Sequence, residues 1–147
     1  MELVVKTFYQ LTLDELYDIL KLRSDVFVVE QECIYQDLDD RDRSAIHVWL
    51  RDGEGIQAYL RVMDKGVTQE HAAIGRVIAV KRRQGLGSRV LQAGIEVARQ
   101  RFGADRIYLE AQVYAKSLYE KQGFRQVSEE FLEDGIPHVK MILDCGA

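Results

Sequence analysis

The stretch from residue 72 to residue 111 constrains the fold more than any other part of the chain. Ala72 to Val80 is a β-rich run containing Gly75, and it leads into the basic, glycine-bearing loop Lys81-Arg82-Arg83-Gln84-Gly85. Leu86, Val90, Leu91, Ile95, Ala98 and Phe102 then recur at the helical period, and Gly103 stands where a left-handed C-terminal cap belongs. Ile107-Tyr108-Leu109-Glu110-Ala111 restores a strand. A strand, a long amphipathic helix and a second strand in that order predict two parallel strands in one sheet.

The flanking regions do not repeat that unit. Leu3 to Phe8 reads as a first strand, and Thr12 with Glu15 forms a capping-box pattern that opens a helix. Leu13, Leu16, Tyr17, Leu20 and Phe27 predict one buried face on that helix, up to about Val28 or Val29. Glu30 to Ser44 is polar and acidic with little periodicity, a long loop with at most one helical turn. His47 to Leu50 and Ile56 to Val62 flank Asp52-Gly53-Glu54-Gly55 and predict an antiparallel hairpin. Ala115 to Gln122 is a short helix stopped by Gly123, followed by strands over Phe124 to Phe131 and Val139 to Leu143 joined by a Glu133-Asp134-Gly135-Ile136-Pro137 turn. The order β-α-β-β-β-α-β-α-β-β implies an α/β (α+β) fold with a mixed sheet of about seven strands and helices on its faces, not a pure doubly wound fold.

Composition sets the class. The 147 residues fit one domain, 1–147, with a single proline, no linker-like stretch and no internal repeat. Hydrophobic residues make up 47% and charged residues 30%, as in a soluble globular domain. A net charge of −4 argues against a broad nucleic-acid surface. Cys33 and Cys145 are too few and too far apart for a zinc cluster or disulfide framework, so the expected compartment is reducing and cytoplasmic. No apolar run approaches the ~18–20 residues that span a bilayer, and the acidic start lacks the pattern of a signal peptide, so no membrane partner is expected.

The loop from Val80 to Arg89 carries the clearest chemistry. At the start of a long helix, backbone N–H groups lack intrahelical partners and the dipole favours an anion, which makes phosphate the natural ligand. Gly85 and Gly87 allow close backbone approach, while Arg82, Arg83 and Arg89 add positive charge. A P-loop needs a Lys between Gly87 and Ser88, and none is there. A dinucleotide fingerprint needs a third glycine at Val90 and a loop near the chain start, although Asp105 and Glu110 lie at a plausible distance for a ribose carboxylate.

Arg82-x-x-Gly85-x-Gly87 resembles the pyrophosphate-binding motif of the GNAT superfamily of N-acetyltransferases, which bind acetyl-coenzyme A. About thirty residues on, Leu118-Tyr119-Glu120-Lys121-Gln122-Gly123-Phe124 resembles that family's second signature. Phe27-Val28-Val29-Glu30-Gln31-Glu32-Cys33, Tyr35-Gln36-Asp37-x-Asp39 and Glu133 to His138 are similar to the ElaA-type branch, so the resemblance covers nearly the whole chain. It implies a cofactor loop formed by Arg82, Arg83, Gln84, Gly85, Leu86, Gly87, Ser88 and Arg89, with the main chain of Ile78, Ala79 and Val80 along the pantetheine and thioester. Gln112 stands where many relatives have an Asn that contacts the pantetheine arm.

Acetyl transfer to an amine needs a neutral amine, stabilisation of an oxyanion and a proton for the departing thiolate. The resemblance puts Tyr119 at the general-acid position. Glu110, which the resemblance sets beside the cofactor, and His138, whose ordinary pKa near 6.5 suits a base, compete for the other proton transfer, with an ordered water chain as a third option. Cys33 has no histidine near it in sequence and is read as a buried residue rather than a nucleophile. His47, His71 and His138 share no metal-ligand spacing, so no metal is expected. Asp37 and Asp39 belong to an acidic run whose carboxylates repel one another unless a cation lies among them, which suggests a cationic acceptor there.

Together these residues imply an acetyltransferase that moves an acetyl group from acetyl-coenzyme A to a primary amine, on a small molecule or a peptide, by direct attack in a ternary complex. The alternative is a non-catalytic acyl-coenzyme A sensor. Exposed edge strands leave room for a homodimer.

Overall fold

A computed structural model describes residues 1–81 and 84–146. Among these, eight strands form one sheet: β1 Glu2–Thr7, β2 Ile46–Asp52, β3 Gly55–Met63, β4 Ala72–Ala79, β5 Arg106–Gln112, β6 Arg125–Gln126, β7 Phe131–Glu133 and β8 Ile136–Asp144. The helices are α1 Leu13–Arg23, α2 Leu86–Phe102 and α3 Lys116–Glu120. No described helix is long and apolar enough to cross a membrane.

The sheet runs β1-β2-β3-β4-β5-β8-β6, with β7 also on β8, and every pairing except β4 with β5 is antiparallel. The parallel unit expected from residues 72–111 is therefore present, inside an otherwise antiparallel sheet. Alternation along the strands sorts side chains into two layers. Val48, Leu50, Leu60 and Val62 face α2, whose Val90, Leu91 and Ala98 are fully buried against them. Trp49, Tyr59 and Ile78 face the other way and pack with Ile19 of α1.

The capping box at α1 forms as expected: Glu15 N–H donates to Thr12 Oγ1 at 3.1 Å, and Thr12 N–H donates to Glu15 Oε1 at 2.9 Å. The buried face is not the expected one. Leu13 and Tyr17 are 86% and 69% exposed, and the fully buried residues of α1 are Ile19 and Arg23. The helix then widens into a π-helical turn over Ser24–Glu30 that brings Val26 and Phe27 onto Trp49 and Tyr59.

Arg23 is buried because its charge is matched. Its Nε donates to Asp37 at 3.0 Å and its Nη1 to Asp42 at 2.6 Å. Arg61 on β3 donates to Asp42 at 2.9 Å and forks onto Asp39, and Arg76 on β4 donates to Asp37 at 2.8 Å. Three arginines thus meet three aspartates, and Tyr35 adds a 2.8 Å hydrogen bond to Asp37. Neutral His47 extends the network, with Nε2–H donating to the Asp42 carbonyl at 3.0 Å and Nδ1 accepting from the Tyr59 hydroxyl at 2.7 Å. The cations that the acidic run calls for are internal.

The C-terminal strands differ from expectation in two ways. Phe124 to Phe131 is not one strand: only Arg125–Gln126 and Phe131–Glu133 are paired. Between them Ser128 Oγ accepts from the Lys140 N–H at 2.9 Å, so a side chain takes the place of a backbone rung. The turn is shorter than Glu133 to Pro137, because Asp134 and Gly135, at φ 51° and 77°, close the hairpin alone. Glu133 and His138 therefore both lie in strands.

Removing Arg23 leaves Asp37 and Asp42 buried with part of their charge unmatched. Arg23→Met is expected to lower unfolding free energy by about 3–5 kcal/mol in urea titrations. Burial pushes the Asp39 and Asp42 carboxyls up, but hydrogen bonds and charge from Arg61 and Arg23 outweigh it and hold both below the ordinary carboxylate range. Because these folded-state values are depressed, their contribution is complete above the unfolded value of about 3.9 and is lost as pH falls below it. Thermal melts across the acid range should show Tm falling there, with a shallower fall in the Arg23→Met variant.

Candidate active site in the β4–β5 cleft

The eight residues of β4 and seven of β5 share only two ladder pairs, Ala72 with Ile107 and Ala73 with Tyr108. Beyond them the strands diverge, opening a cleft of about 1560 Å³. The cause lies in β4. Arg61 pairs with Gly75 but Tyr59 pairs with Ile78, so Arg76 and Val77 together oppose the single residue Leu60. That bulge bends the strand, and Arg76 sits in it at φ 53°, a conformation rare for a side-chain-bearing residue. Its guanidinium, bound to Asp37 and stacked 5.6 Å over the Tyr35 ring, anchors the bend.

Past the bulge the main chain is oriented by its pairing with β3. Val80 N–H donates to the Gln57 carbonyl at 2.9 Å, so the next pair, Ala58 with Ala79, is of the non-hydrogen-bonded kind. The N–H and C=O of Ala79 therefore turn away from β3, to the side where β5 has left. Of the three residues expected to offer main chain, Ala79 turns its own toward the cleft side, while Ile78 pairs with Tyr59 of β3 and Val80 gives β3 its N–H.

The loop that follows ends at Gly85, the N-cap of α2, at φ 71° in the left-handed region that favours glycine. Its first-turn N–H groups have no intrahelical partners. Gly85, Gly87 and Ser88 line the cleft, and Gln84 before them and Arg89 one position further along the helix are exposed. Leu86 is 3% exposed with its side chain in the core, which leaves it only backbone to offer a ligand. Arg82 and Arg83 lie outside the described residues. A Cβ at Gly87 would stand 3.3 Å from Leu118 of α3, so this glycine lets α2 and α3 approach at the mouth of the cleft.

Tyr119 of α3 lines the cleft and is 7% exposed, its ring edge-on to Phe124 at 6.1 Å. Burial pushes its phenol above the ordinary value. Among the described residues its hydroxyl has no hydrogen-bond partner. Gln112, at the end of β5, is held in a reciprocal amide pair with Gln31, both bonds 3.3 Å. Each amide keeps a second N–H and a second lone pair for a ligand. Close by, the Cys33 thiol donates to the Asp134 carbonyl at 3.4 Å. These two contacts tie the segment after the π-turn to β5 and to the β7–β8 hairpin.

On the wall opposite β4, Tyr108 donates to Glu110 Oε2 at 2.6 Å. His138 is 7% exposed, with Nδ1 at 2.7 Å from the Ile136 carbonyl and Nε2 at 3.6 Å from Glu133. Glu133 was not singled out by the sequence, where it reads as part of a turn. Burial, and after it the hydrogen bond and charge of Glu110, push the Glu133 carboxyl up to about 7. Glu110 and His138 thus reach one wall of one cleft. The Asp37 and Asp39 carboxylates, expected to face a cationic acceptor, are bound by Arg23, Arg61 and Arg76, and Asp39 borders the cleft.

Residues 18–145 match the family profile described as an acetyltransferase (GNAT) domain. The chain belongs to this family. A UPF0039 protein of Schizosaccharomyces pombe is 40% identical over 98% of this chain and 97% of its own. The crystal structure of an acyl-CoA N-acyltransferase from Pseudomonas aeruginosa superposes with a TM-score of 0.90 at 35% identity, covering 97% of this chain and 99% of that one. Escherichia coli ElaA superposes with the same TM-score at 32% identity, over the same shares. As a GNAT member with such neighbours the chain is an acyltransferase.

Proposed function

We propose that this protein transfers the acetyl group of acetyl-coenzyme A to a primary amine by direct attack within a ternary complex. The observation that carries the reading is the main chain of Ala79, which among the described residues has no partner, in the cleft that the start of α2 and Tyr119 also line. The cosubstrate supplies an activated acetyl thioester. The residues present suit it: a strand edge with free N–H and C=O groups pairs with an amide-bearing arm, and the helix start with its flanking arginines suits a pyrophosphate.

The chain's own groups divide the remaining work. Ala79 N–H is placed for a carbonyl oxygen that gains charge, the role of an oxyanion donor. Tyr119, without a protein partner for its hydroxyl, gives its proton to the departing sulfur. A raised phenol pKa makes that transfer depend on concerted bond cleavage. The wall carrying Glu110 and His138 receives the proton of the attacking amine. Gln112 and Gln31 border the path between the two walls.

Two variants test the reading. Gly87→Val places a branched side chain at the start of α2, and coenzyme A binding measured by calorimetry is expected to be lost. The pressure on Leu118 is checked separately by the variant's Tm, expected to fall by only a few degrees. Coenzyme A binding equal to wild type would remove the loop from the site. Tyr119→Phe keeps the ring and its contact with Phe124, so stability and coenzyme A affinity should hold while kcat falls by roughly 10- to 1,000-fold. Loss of binding in proportion to rate would make Tyr119 a packing residue.

A further inference from the structure

Strand pairing brings four titratable side chains to one patch of the cleft wall: Tyr108 and Glu110 from β5, Glu133 from β7 and His138 from β8. Glu110 and Glu133 line this same patch, near enough for each carboxyl to act on the other. Two carboxylates have only acceptors, so a neighbouring pair is suited to sharing one proton. The Tyr108 hydroxyl donates to Glu110 at 2.6 Å, so Glu110 already has a donor of its own, whereas burial and the neighbouring Glu110 raise the Glu133 carboxyl. On the other side of Glu133 stands His138. Its Nδ1, facing the Ile136 carbonyl, must donate, so in the neutral ring Nε2 is a lone-pair nitrogen aimed at Glu133 from 3.6 Å. Among the described residues Nε2 makes no hydrogen bond, although the residue is 93% buried, as its 7% exposure gives. Phe131, stacked at 6.0 Å, fixes the ring.

We propose that Glu110 and Glu133 act as one proton-accepting unit for the acceptor's ammonium group, with His138 as the positioning residue for Glu133; this rests on the amine-acetylating reading above. In the accepting state both carboxylates are ionised. An ammonium N–H bond breaks, its electron pair stays on nitrogen, and the proton becomes the one shared between the two glutamates. The freed amine forms a C–N bond to the acetyl carbonyl carbon. As the C–S bond breaks, Tyr119 protonates the sulfur and regains a proton from the nitrogen. One proton remains on the pair, and Glu133, with its side chain 47% exposed, passes it to solvent.

Pairing matters because a lone exposed glutamate near pKa 4.3 is a poor acceptor for an ammonium proton, whereas a proton shared with a second carboxylate is held more tightly. Among the described residues the charged and titratable groups acting on Glu133 include Glu110 and Tyr108 on β5, Asp134 on its own hairpin, His138 on β8 and Arg76 on β4. Glu110 and Asp134 raise its carboxyl and Arg76 lowers it. Lys140, opposite Glu110 in the ladder, lies over the Phe131 ring. With Glu133 raised to about 7, the pair is occupied below that pH and free to accept above it.

The test is the pH profile of kcat/KM with acetyl-coenzyme A and three probes: putrescine, phenylethylamine and a short peptide with a free amino terminus. Wild type should show an acid limb near pH 7 with any probe it acetylates. Glu133→Gln and Glu110→Gln should each lower the plateau roughly 100- to 1,000-fold, remove that limb, and combine without further loss. His138→Asn should shift the limb while KM for acetyl-coenzyme A stays put. Carboxyl-carbon NMR titration, which needs no acceptor, should find Glu133 titrating near 7 in wild type and back toward about 4.3 in Glu110→Gln. A limb unchanged in Glu133→Gln, or an ordinary Glu133 titration in wild type, overturns the proton-accepting pair alone. Coenzyme A binding without transfer to any of the three amines overturns the amine reading and the pair with it.

Discussion

Two buried arginines, a half-buried third and three aspartates hold this structure in register. Arg23 comes from a helix, Arg61 and Arg76 from neighbouring strands, and Asp37, Asp39 and Asp42 from a loop with no strand pairing of its own. Burying four of these six charges, and half-burying the other two, carries a large desolvation cost, and replacing such a group with apolar side chains is often neutral. What the charges supply is geometry. A guanidinium fork accepts carboxylates in a narrow set of orientations, so each pair fixes the angle between the elements that carry it. The loop cannot shift against β3 and β4 without stranding a charge.

That restraint reaches the cleft through Arg76. A bulge with a positive φ at a residue other than glycine is strained by about 1–3 kcal/mol and persists where its surroundings over-determine it. Here they do, through Asp37, Asp39 and the Tyr35 ring. The bulge sends β4 away from β5 and frees the Ala79 main chain. A network without contact with the reacting groups thereby decides that a cleft exists. The opposite wall depends on backbone register instead, because closing the hairpin at Asp134 and Gly135 puts Glu133 in a strand beside His138.

Much of this was legible in the sequence, and what was not has identifiable causes. The parallel unit, the first hairpin, the α1 capping box and the Gly103 cap all arise from local patterns, and the structure has them. The two signatures gave the family. The buried face of α1 was misread because periodicity counts Arg23 as a surface residue, and its partners lie 14 and 19 positions away. The same distance hid the meaning of the acidic run: the electrostatic reasoning that asked for a cation was sound, and the cation was an arginine of the same chain. Glu133 escaped because a five-residue turn was read where a two-residue one closes, and no local signal joins it to Glu110 across twenty-odd residues. The orientation of Ala79 needs the bulge, which only the paired strands reveal.

The two ladder pairs between β4 and β5 have a mechanical consequence. The sheet consists of two well-laddered plates, β1 to β4 and β5 to β8, sharing a seam at Ala72 and Ala73. Across the rest of the divide the plates meet through side chains, among them the Gln31–Gln112 amides and the Cys33 thiol on Asp134. An extended ligand bonded to Ala79 would lie where the missing rungs belong. Such a ligand stands in for part of a strand, so the sheet would gain continuity as it binds and lose it as product departs.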